Sequence, residues 1–189
     1  MGAGVVTSRE QLLRGGALAI LPTDTVYGIG CAAGLRDACA RLYEVKERPP
    51  GQPTAIVFGS VAALTAALGA GIDTGAELLP GPVTLIVPNP GGRFAYLCGS
   101  TPDRIGVRVP ELAPDVAALA DAVGGLAMTS ANRRGDPAPG RLSDVPDELR
   151  AAAAVVVDGG TLPGVASMVV DVTGPTPVVI RSGPGRPPG

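Results

Sequence analysis

Short apolar runs alternate along this chain with longer segments whose apolar residues recur at helical spacing. The short runs end at Pro, Gly or polar residues and predict strands, whereas the periodic segments predict helices. We expect strands at 17–21, 55–58, 83–87, 105–109, 126–129, 155–157, 168–172 and 178–180. We expect helices at about 9–14, 35–45, 61–68 and 114–123, and a short one that Ser143 caps. Thr7 and Glu10 have the spacing of a capping box at the first helix.

The order of these elements predicts a mixed sheet. Strands alternate with helices at first and pair directly near the end, where 173–176 is consistent with a hairpin turn. We therefore expect an α/β fold, a twisted sheet of parallel and antiparallel strands flanked by helices. A length of 189 residues suits one domain, which we place at 1–183, followed by a flexible Gly/Pro tail at 184–189.

The predicted hairpin brings two polar residues together. Ser167 begins one strand and Arg181 ends its partner, so antiparallel pairing predicts that they meet at the same end of the sheet. Arg108 alternates with valines and should project from one face of its strand. There it either meets solvent or lines a cleft and binds an anion.

Two further segments combine small polar residues at strand ends. Segment 21–30 forms a polar turn with exposed backbone amides, but taken alone it is more typical of an ordinary strand-to-helix loop. Segment 128–132 includes Ser130 and Asn132 and can provide a seat for an oxyanion or phosphate. Helix capping explains the second segment equally well.

Lys46 is the one lysine among fifteen basic residues. An ammonium differs from a guanidinium chiefly at tight phosphate or carbonyl sites, which favours such a site for Lys46. A surface lysine retained by chance is an equally good alternative. Lys46 and Arg48 leave a predicted helix together and enter a Pro-fixed loop, from which two cations can bind adjacent phosphates. Favourable placement of cations at a helix C-terminus is an about even alternative, but it does not explain why the chain has a single lysine.

Composition excludes several kinds of chemistry. The chain has no histidine, which removes Ser-His and Cys-His catalysis and any His-based metal site. Its three cysteines show no metal-ligand spacing and are expected to be reduced core thiols. The net charge of −2 gives no general attraction to nucleic acid. Neither a Walker A nor a Rossmann glycine motif occurs, so any ATP site is of another kind.

The hydropathy pattern favours a cytoplasmic protein. Hydrophobic residues make up 46% of the chain, yet no apolar run approaches the roughly 20 residues of a membrane span. The N-terminus shows no basic region followed by an apolar stretch, so we expect no signal peptide. Residue chemistry alone thus predicts an anion-binding cleft of Arg, Lys and Ser/Thr without naming a reaction.

Taken in order, the polar segments resemble the YrdC-like family. The matching tags are PTDTVYGIG at 22–30, KERP at 46–49, PGPVT at 80–84, VRVP at 107–110, SAN at 130–132, SMVVD at 167–171 and RSG at 181–183. Each tag is short, but their ordered combination from about 21 to 183 is highly specific.

The resemblance implies an L-threonylcarbamoyladenylate synthase, a nucleotidyltransferase. Threonine and bicarbonate would form an N-carboxylate that attacks the α-phosphate of ATP and releases pyrophosphate. A threonylcarbamoyl-transferase protein would then use the product for the threonylcarbamoyladenosine modification of tRNA, and RNA binding is expected with this role. Positioning and charge neutralisation suffice for such a transfer, so the absence of histidine is no obstacle.

The resemblance also implies roles for individual residues. Lys46 and Arg48 would be catalytic and, with Gln52, Ser130, Asn132 and Arg181, would bind ATP. Thr25, Arg108 and Ser167 would bind threonine, with Arg108 facing its carboxylate. Mg²⁺ would accompany the ATP phosphates, and no protein ligand to it is predicted.

Three departures from the family pattern put recognition of threonine in doubt. Met168 replaces a threonine after the serine, Val57 and Phe58 lie where some members have a histidine, and Arg133-Arg134 replaces a small-polar pair. Two alternatives therefore stay open. One is a carbamoyl-adenylate-forming relative that acts on another substrate, and the other is a non-catalytic RNA-binding module.

Overall fold

One sheet organises the part of the chain that the computed structural model describes, residues 7–49, 51–69, 72 and 74–185. The helices in these ranges are α1 (Arg9–Arg14), α2 (Arg36–Val45), α3 (Val61–Leu68), α4 (Pro114–Ala122) and α5 (Asp147–Ala152). The strands are β1 (Leu18–Pro22), β2 (Tyr27–Ala32), β3 (Ala55–Val57), β4 (Val83–Pro88), β5 (Arg104–Arg108), β6 (Leu126–Ser130), β7 (Ala153–Val156), β8 (Met168–Asp171) and β9 (Val178–Arg181). Short 3₁₀ turns lie at Ala76–Leu78, Ala95–Leu97 and Leu142–Asp144. None of the described helices has the length and apolar character needed to cross a bilayer.

The sheet is mixed, which confirms the predicted fold class. Its strand order is β7-β1-β2-β6-β3-β5-β4-β8-β9. The pairs β1–β7, β3–β5 and β4–β8 are parallel, and the other neighbours are antiparallel. β8 and β9 form the predicted hairpin. Residues 186–189 of the predicted tail lie outside the described residues.

Two predicted helix starts are wrong in detail. The capping box joins Ser8 and Gln11, whose backbone amides donate to each other's side-chain oxygens at 2.8 and 3.1 Å. A glutamine at the third helical position serves as well as a glutamate, so the box lies one residue later than predicted. Ser143 lies in a 3₁₀ turn and caps no helix, because α5 begins only after Pro146 and has no side-chain cap.

The expectation of an ordinary strand-to-helix loop at 21–30 is wrong. The turn at 23–26 leads into β2, which is buried along its whole length and pairs with β1 on one side and β6 on the other. Tyr27, Ile29 and Cys31 alternate with glycines and enter one hydrophobic core. The glycines face the backbone and side chains of β6 at close range. Side chains of this strand alternate between the two faces as in any strand, but the residues of one face are glycines, so the sequence does not show the usual apolar pattern of a buried strand.

The two faces of the sheet are covered differently. One face contributes alternate residues, such as Ile20, Leu85 and Val107, to the larger core. On the other face Leu21 and Met128 pack in a smaller cluster with residues of α1 and α4. That cluster reaches β3 through Val57 but includes no residue of β5, β4 or β8. The second face is therefore left open over these three strands.

We predict that Gly30→Ala destabilises the protein. A Cβ at Gly30 would lie 2.6 Å from the carbonyl oxygen of Ala127 and 3.2 Å from the Cα of Met128, so β2 and β6 would have to separate. We expect a loss of about 1–3 kcal/mol in the free energy of unfolding, measured by urea denaturation. The matched control is Gly34→Ala, whose Cβ would meet nothing within 4 Å. Equal stabilities of the two variants would contradict the prediction.

Candidate active site

A cleft of about 440 Å³ lies on the open face of the sheet. Its floor consists of the alternate residues of β5 and β4 that point away from the larger core: Arg104, Gly106, Arg108, Thr84 and Ile86. The predicted site residues that line it are Arg48, Gln52, Arg108, Ser130, Ser167 and Arg181. Thr25, Lys46 and Asn132 lie behind this lining and are bonded to it, as described below.

Arg108 is 7% exposed and lies in the cleft. Its Nη2 donates to Thr25 Oγ1 at 2.7 Å and to the carboxylate of Asp24. Burial lowers the pKa of Arg108, while the charge of Asp24 and its hydrogen bond raise it. Arg108 Nε is buried and has no partner among the described residues. Nη1 donates to none of them either, so this nitrogen keeps its hydrogens for a ligand.

Lys46 follows the end of α2 and is 8% exposed. Its ammonium donates to the backbone oxygen of Ser130 at 2.9 Å and to that of Asn132. Because an ammonium has three donors, one hydrogen is left after these two bonds. Burial lowers the pKa of Lys46 to about 8, and the charge of Arg48 adds to this effect. Lys46 thus fixes the backbone of the 130–132 segment from the side that faces away from the cleft.

Arg48 reaches over the same segment from the loop after α2. Its Nη1 donates to Thr129 Oγ1 at 3.1 Å, and its Nη2 donates to the backbone oxygen of Pro53 at 2.6 Å. The ring of Tyr43 lies 5.5 Å from the guanidinium carbon, within the range of a cation–π contact. Burial lowers the pKa of Arg48. These contacts fix the guanidinium against the cleft wall.

Ser130 and Asn132 form a local polar turn at the end of β6. Ser130 Oγ donates to Asn132 Oδ1 at 2.6 Å, and Asn132 Nδ2 donates to the backbone oxygen of Asp136 at 2.6 Å. Ser130 lines the cleft, whereas Asn132 lies outside the lining and positions the Ser130 hydroxyl. Gln52 is exposed at the rim, where its backbone oxygen accepts a hydrogen bond from the Tyr43 hydroxyl at 2.6 Å.

Ser167 and Arg181 meet at one end of the β8–β9 hairpin, as predicted. Arg181 donates from Nε and Nη2 to the backbone oxygen of Ser167 at 3.0 and 2.8 Å, and from Nη2 to Ser167 Oγ at 3.2 Å. Ser167 is buried, and its Oγ lies 3.0 Å from Thr84 Oγ1.

Sequence reasoning missed several residues of the cleft. Thr84 belongs to a family tag but received no role, and Arg104 precedes the predicted strand by one residue. Asp24 was not predicted as the partner of Arg108. Strand alternation could have found Arg104, since it lies four residues before Arg108 and thus on the same face. The Asp24–Arg108 pair spans 84 positions and leaves no local signal.

A family model and known relatives match most of the chain. The Sua5/YciO/YrdC model, described as "Telomere recombination", matches residues 11–183. The chain belongs to the Sua5/YciO/YrdC family. It is 35% identical over 179 residues to the threonylcarbamoyl-AMP synthase of Pyrococcus abyssi, covering 90% of this chain and 52% of that protein. A Mycobacterium tuberculosis H37Rv relative is 33% identical, with coverage of 95% and 84%.

Solved members of the Sua5/YciO/YrdC family share the fold. P. abyssi Sua5 complexed with L-threonine superposes with a TM-score of 0.80 at 32% identity, over 92% of this chain and 52% of that one. Escherichia coli YciO superposes with a TM-score of 0.80 at 26% identity, over 94% and 88%. The chain spans about half the length of the synthases from P. abyssi (52%) and Bacillus subtilis (53%).

The departures from the Sua5/YciO/YrdC pattern lie in different surroundings. Met168 is 3% exposed and packs in the larger core, because it alternates with Ser167 and points to the opposite face. It therefore does not line the cleft beside Ser167. Val57 does line the cleft, whereas Phe58 is buried in the larger core. Arg133 is exposed and paired with Glu148 at 2.5 Å.

The cysteines and carboxylates form no metal centre in the described ranges, where no three of these side chains converge as ligands. Cys31, Cys39 and Cys98 are free and buried, as predicted. The lining of the cleft includes no carboxylate, so the donors present do not fit a metal ion held by the protein itself.

Proposed function

We propose that this chain is an L-threonylcarbamoyladenylate synthase that makes threonylcarbamoyl-AMP and pyrophosphate from L-threonine, bicarbonate and ATP. The observation that carries the proposal is the convergence of three guanidinium groups, those of Arg48, Arg108 and Arg181, on one cleft rich in hydroxyls. Two of its relatives support the choice of substrate class: P. abyssi Sua5 was solved with L-threonine, and the relatives from P. abyssi and B. subtilis are named threonylcarbamoyl-AMP synthases.

The reaction consists of two balanced steps. The amine nitrogen of threonine attacks the carbon of bicarbonate, and a hydroxyl leaves with an amine proton as water, which gives an N-carboxylate. A carboxylate oxygen then attacks the α-phosphorus of ATP, the bond to the β-phosphate oxygen breaks, and pyrophosphate leaves. Both steps bring anions close together, and cationic side chains lower the electrostatic repulsion between them.

Arg108 suits the carboxylate of threonine. Its Nη1 donates to none of the described residues, and a guanidinium nitrogen donates a charge-assisted hydrogen bond to a carboxylate. Asp24 and Thr25 accept from Nη2, so the group is already oriented before the ligand arrives. Ser167 lies at the same end of the cleft, consistent with contact to the amino acid.

Arg48, Arg181 and the Ser130 turn suit the phosphates of ATP. Lys46 lies behind the lining and acts on the phosphates through its positive charge and through the Ser130 turn, whose backbone oxygens it binds. Gln52 at the rim is placed for the nucleoside side. Mg²⁺ remains a proposal and would come with the triphosphate. We further propose that a cytoplasmic transferase passes the product to tRNA.

Pyrophosphate release tests the proposed function. The purified chain, given ATP, L-threonine and bicarbonate together, should release pyrophosphate and form a threonylcarbamoyl adduct detectable by mass spectrometry. Omission of any one substrate should abolish both signals. Turnover that needs carbamoyl phosphate instead of threonine and bicarbonate would point to a different reaction, and retention of RNA without turnover would point to a binding module.

We predict that Arg108→Gln raises the KM for threonine. Loss of a charge-assisted hydrogen bond of about 1.5–3 kcal/mol corresponds to roughly 10–150-fold. The KM for ATP should change by less than about twofold, since the phosphates contact other cations. Circular dichroism checks the fold of the variant, because Asp24 loses its charged partner. An unchanged KM for threonine would show that the carboxylate binds elsewhere.

We predict that kcat/KM for ATP falls as the pH rises through about 8. Lys46 is charged below this value and loses its proton above it, and kcat/KM reports the pKa values of the free enzyme. In Lys46→Arg the guanidinium stays charged at alkaline pH, so this decline should disappear even though overall activity is lower. A decline that persists unchanged in Lys46→Arg would exclude Lys46 as its cause.

A further inference from the structure

Thr84 and Ser167 form a pair of buried hydroxyls on the floor of the cleft. Their oxygens lie 3.0 Å apart, and the two residues are 9% and 4% exposed. The register that pairs Leu85 with Val107 puts Thr84 opposite Arg108 on the neighbouring strand. Directly opposite residues have Cβ atoms about 5 Å apart. Thr84 thus lies beside the guanidinium proposed for the amino acid, yet the roles given above do not use it.

Counting hydrogens shows that this pair can still donate. The two hydroxyls have one hydrogen each, and their mutual bond uses one of them whichever oxygen donates. Ser167 Oγ also accepts from Arg181 Nη2 at 3.2 Å. One hydroxyl hydrogen is therefore uncommitted among the described residues. Arg181 Nη1 likewise donates to none of them, since its bonds to Ser167 come from Nε and Nη2.

The charge around this pair is unbalanced. Asp24 compensates Arg108, but no described carboxylate lies within ion-pair distance of Arg181. The pKa of Arg108 is lowered first by burial and also by the charge of Arg181, so the two guanidinium groups are close. A site with free donors and an excess positive charge suits a small anion that accepts hydrogen bonds.

We propose that Thr84, Ser167 and Arg181 form the subsite for bicarbonate, a planar oxyanion with three oxygens. This assignment rests on the proposed function and identifies where its third substrate binds. A threonine whose carboxylate lies on Arg108 presents its amine, bonded to the adjacent carbon, toward the neighbouring Thr84. The amine then attacks the bicarbonate carbon and water leaves. The product N-carboxylate keeps the contact with Thr84, and Arg181 lies beside both this carboxylate and the α-phosphate that it attacks.

Substitution of Thr84 tests the subsite. In Thr84→Val the hydroxyl is lost at nearly constant volume, and we expect the KM for bicarbonate to rise about tenfold or more, with the KM values for threonine and ATP within about twofold. Thr84→Ser keeps the hydroxyl and should restore a KM near that of the wild type. Thr101→Val is the matched control, because Thr101 also lines the cleft but its hydroxyl bonds, among the described residues, only to the backbone oxygen of Cys98.

Two further measurements test the proposal. The first needs only the wild type and serves if Thr84→Val folds poorly, and the second serves if no turnover is found. Nitrate, a planar anion with three oxygens, should inhibit the wild type in competition with bicarbonate and not with ATP. Broadening of the ¹³C signal of labelled bicarbonate by the wild type should be lost in Thr84→Val and kept in Thr84→Ser, without any turnover.

The outcomes separate the two proposals. Bicarbonate binding that depends on Thr84, without threonine-dependent pyrophosphate, would reject the synthase function and keep the oxyanion site. Normal turnover with an unchanged KM for bicarbonate in Thr84→Val, or nitrate inhibition that competes with ATP, would overturn the oxyanion site and keep the function.

Discussion

Arg108 carries a guanidinium that is almost wholly buried, and a charge removed from water needs a compensating partner. Asp24 provides that partner from the turn at 23–26, and Thr25 accepts a second hydrogen bond. The pair ties the turn between β1 and β2 to β5, which lies three strands away from β2 in the sheet. One wall of the cleft is thereby fixed against its floor.

The same turn region also holds the loop that ends at Ser167. The Tyr27 hydroxyl donates to Asp158 or to the backbone oxygen of Gly160, at 2.9 and 2.8 Å, and accepts from the Gly159 amide at 2.8 Å. The amide of Gly164 donates to the backbone oxygen of Thr25 at 2.9 Å. The loop from β7 to β8 is therefore attached to the segment that pairs with Arg108. Arg108, proposed for the carboxylate of threonine, is thus connected through this turn to Ser167, which is proposed for the bicarbonate subsite.

A chain of net charge −2 can still contain a cleft of local positive charge. Among the described residues the cleft lining has four arginines and no carboxylate, while most acidic residues lie on the outer surface. Burial strengthens each interaction there, because the local dielectric is lower than in water. Neutral groups bind the cations without cancelling their charge. These are the backbone oxygens of Ser130 and Asn132 at Lys46, and the backbone oxygen and hydroxyl of Ser167 at Arg181.

The sequence by itself determined the helices and strands whose apolar residues recur at a regular spacing. It also contains the family tags that predicted the site residues. α3 has the predicted bounds, and the alternation of Arg108 with valines indicated a strand with one polar face. Tertiary structure decided the rest. β2 was missed because glycines pressed against β6 hide its period, and Met168 faces the core because it alternates with Ser167. The partners of Arg108 and Lys46 come from segments about eighty residues away, and such contacts depend on the order of strands in the sheet, which no local pattern specifies.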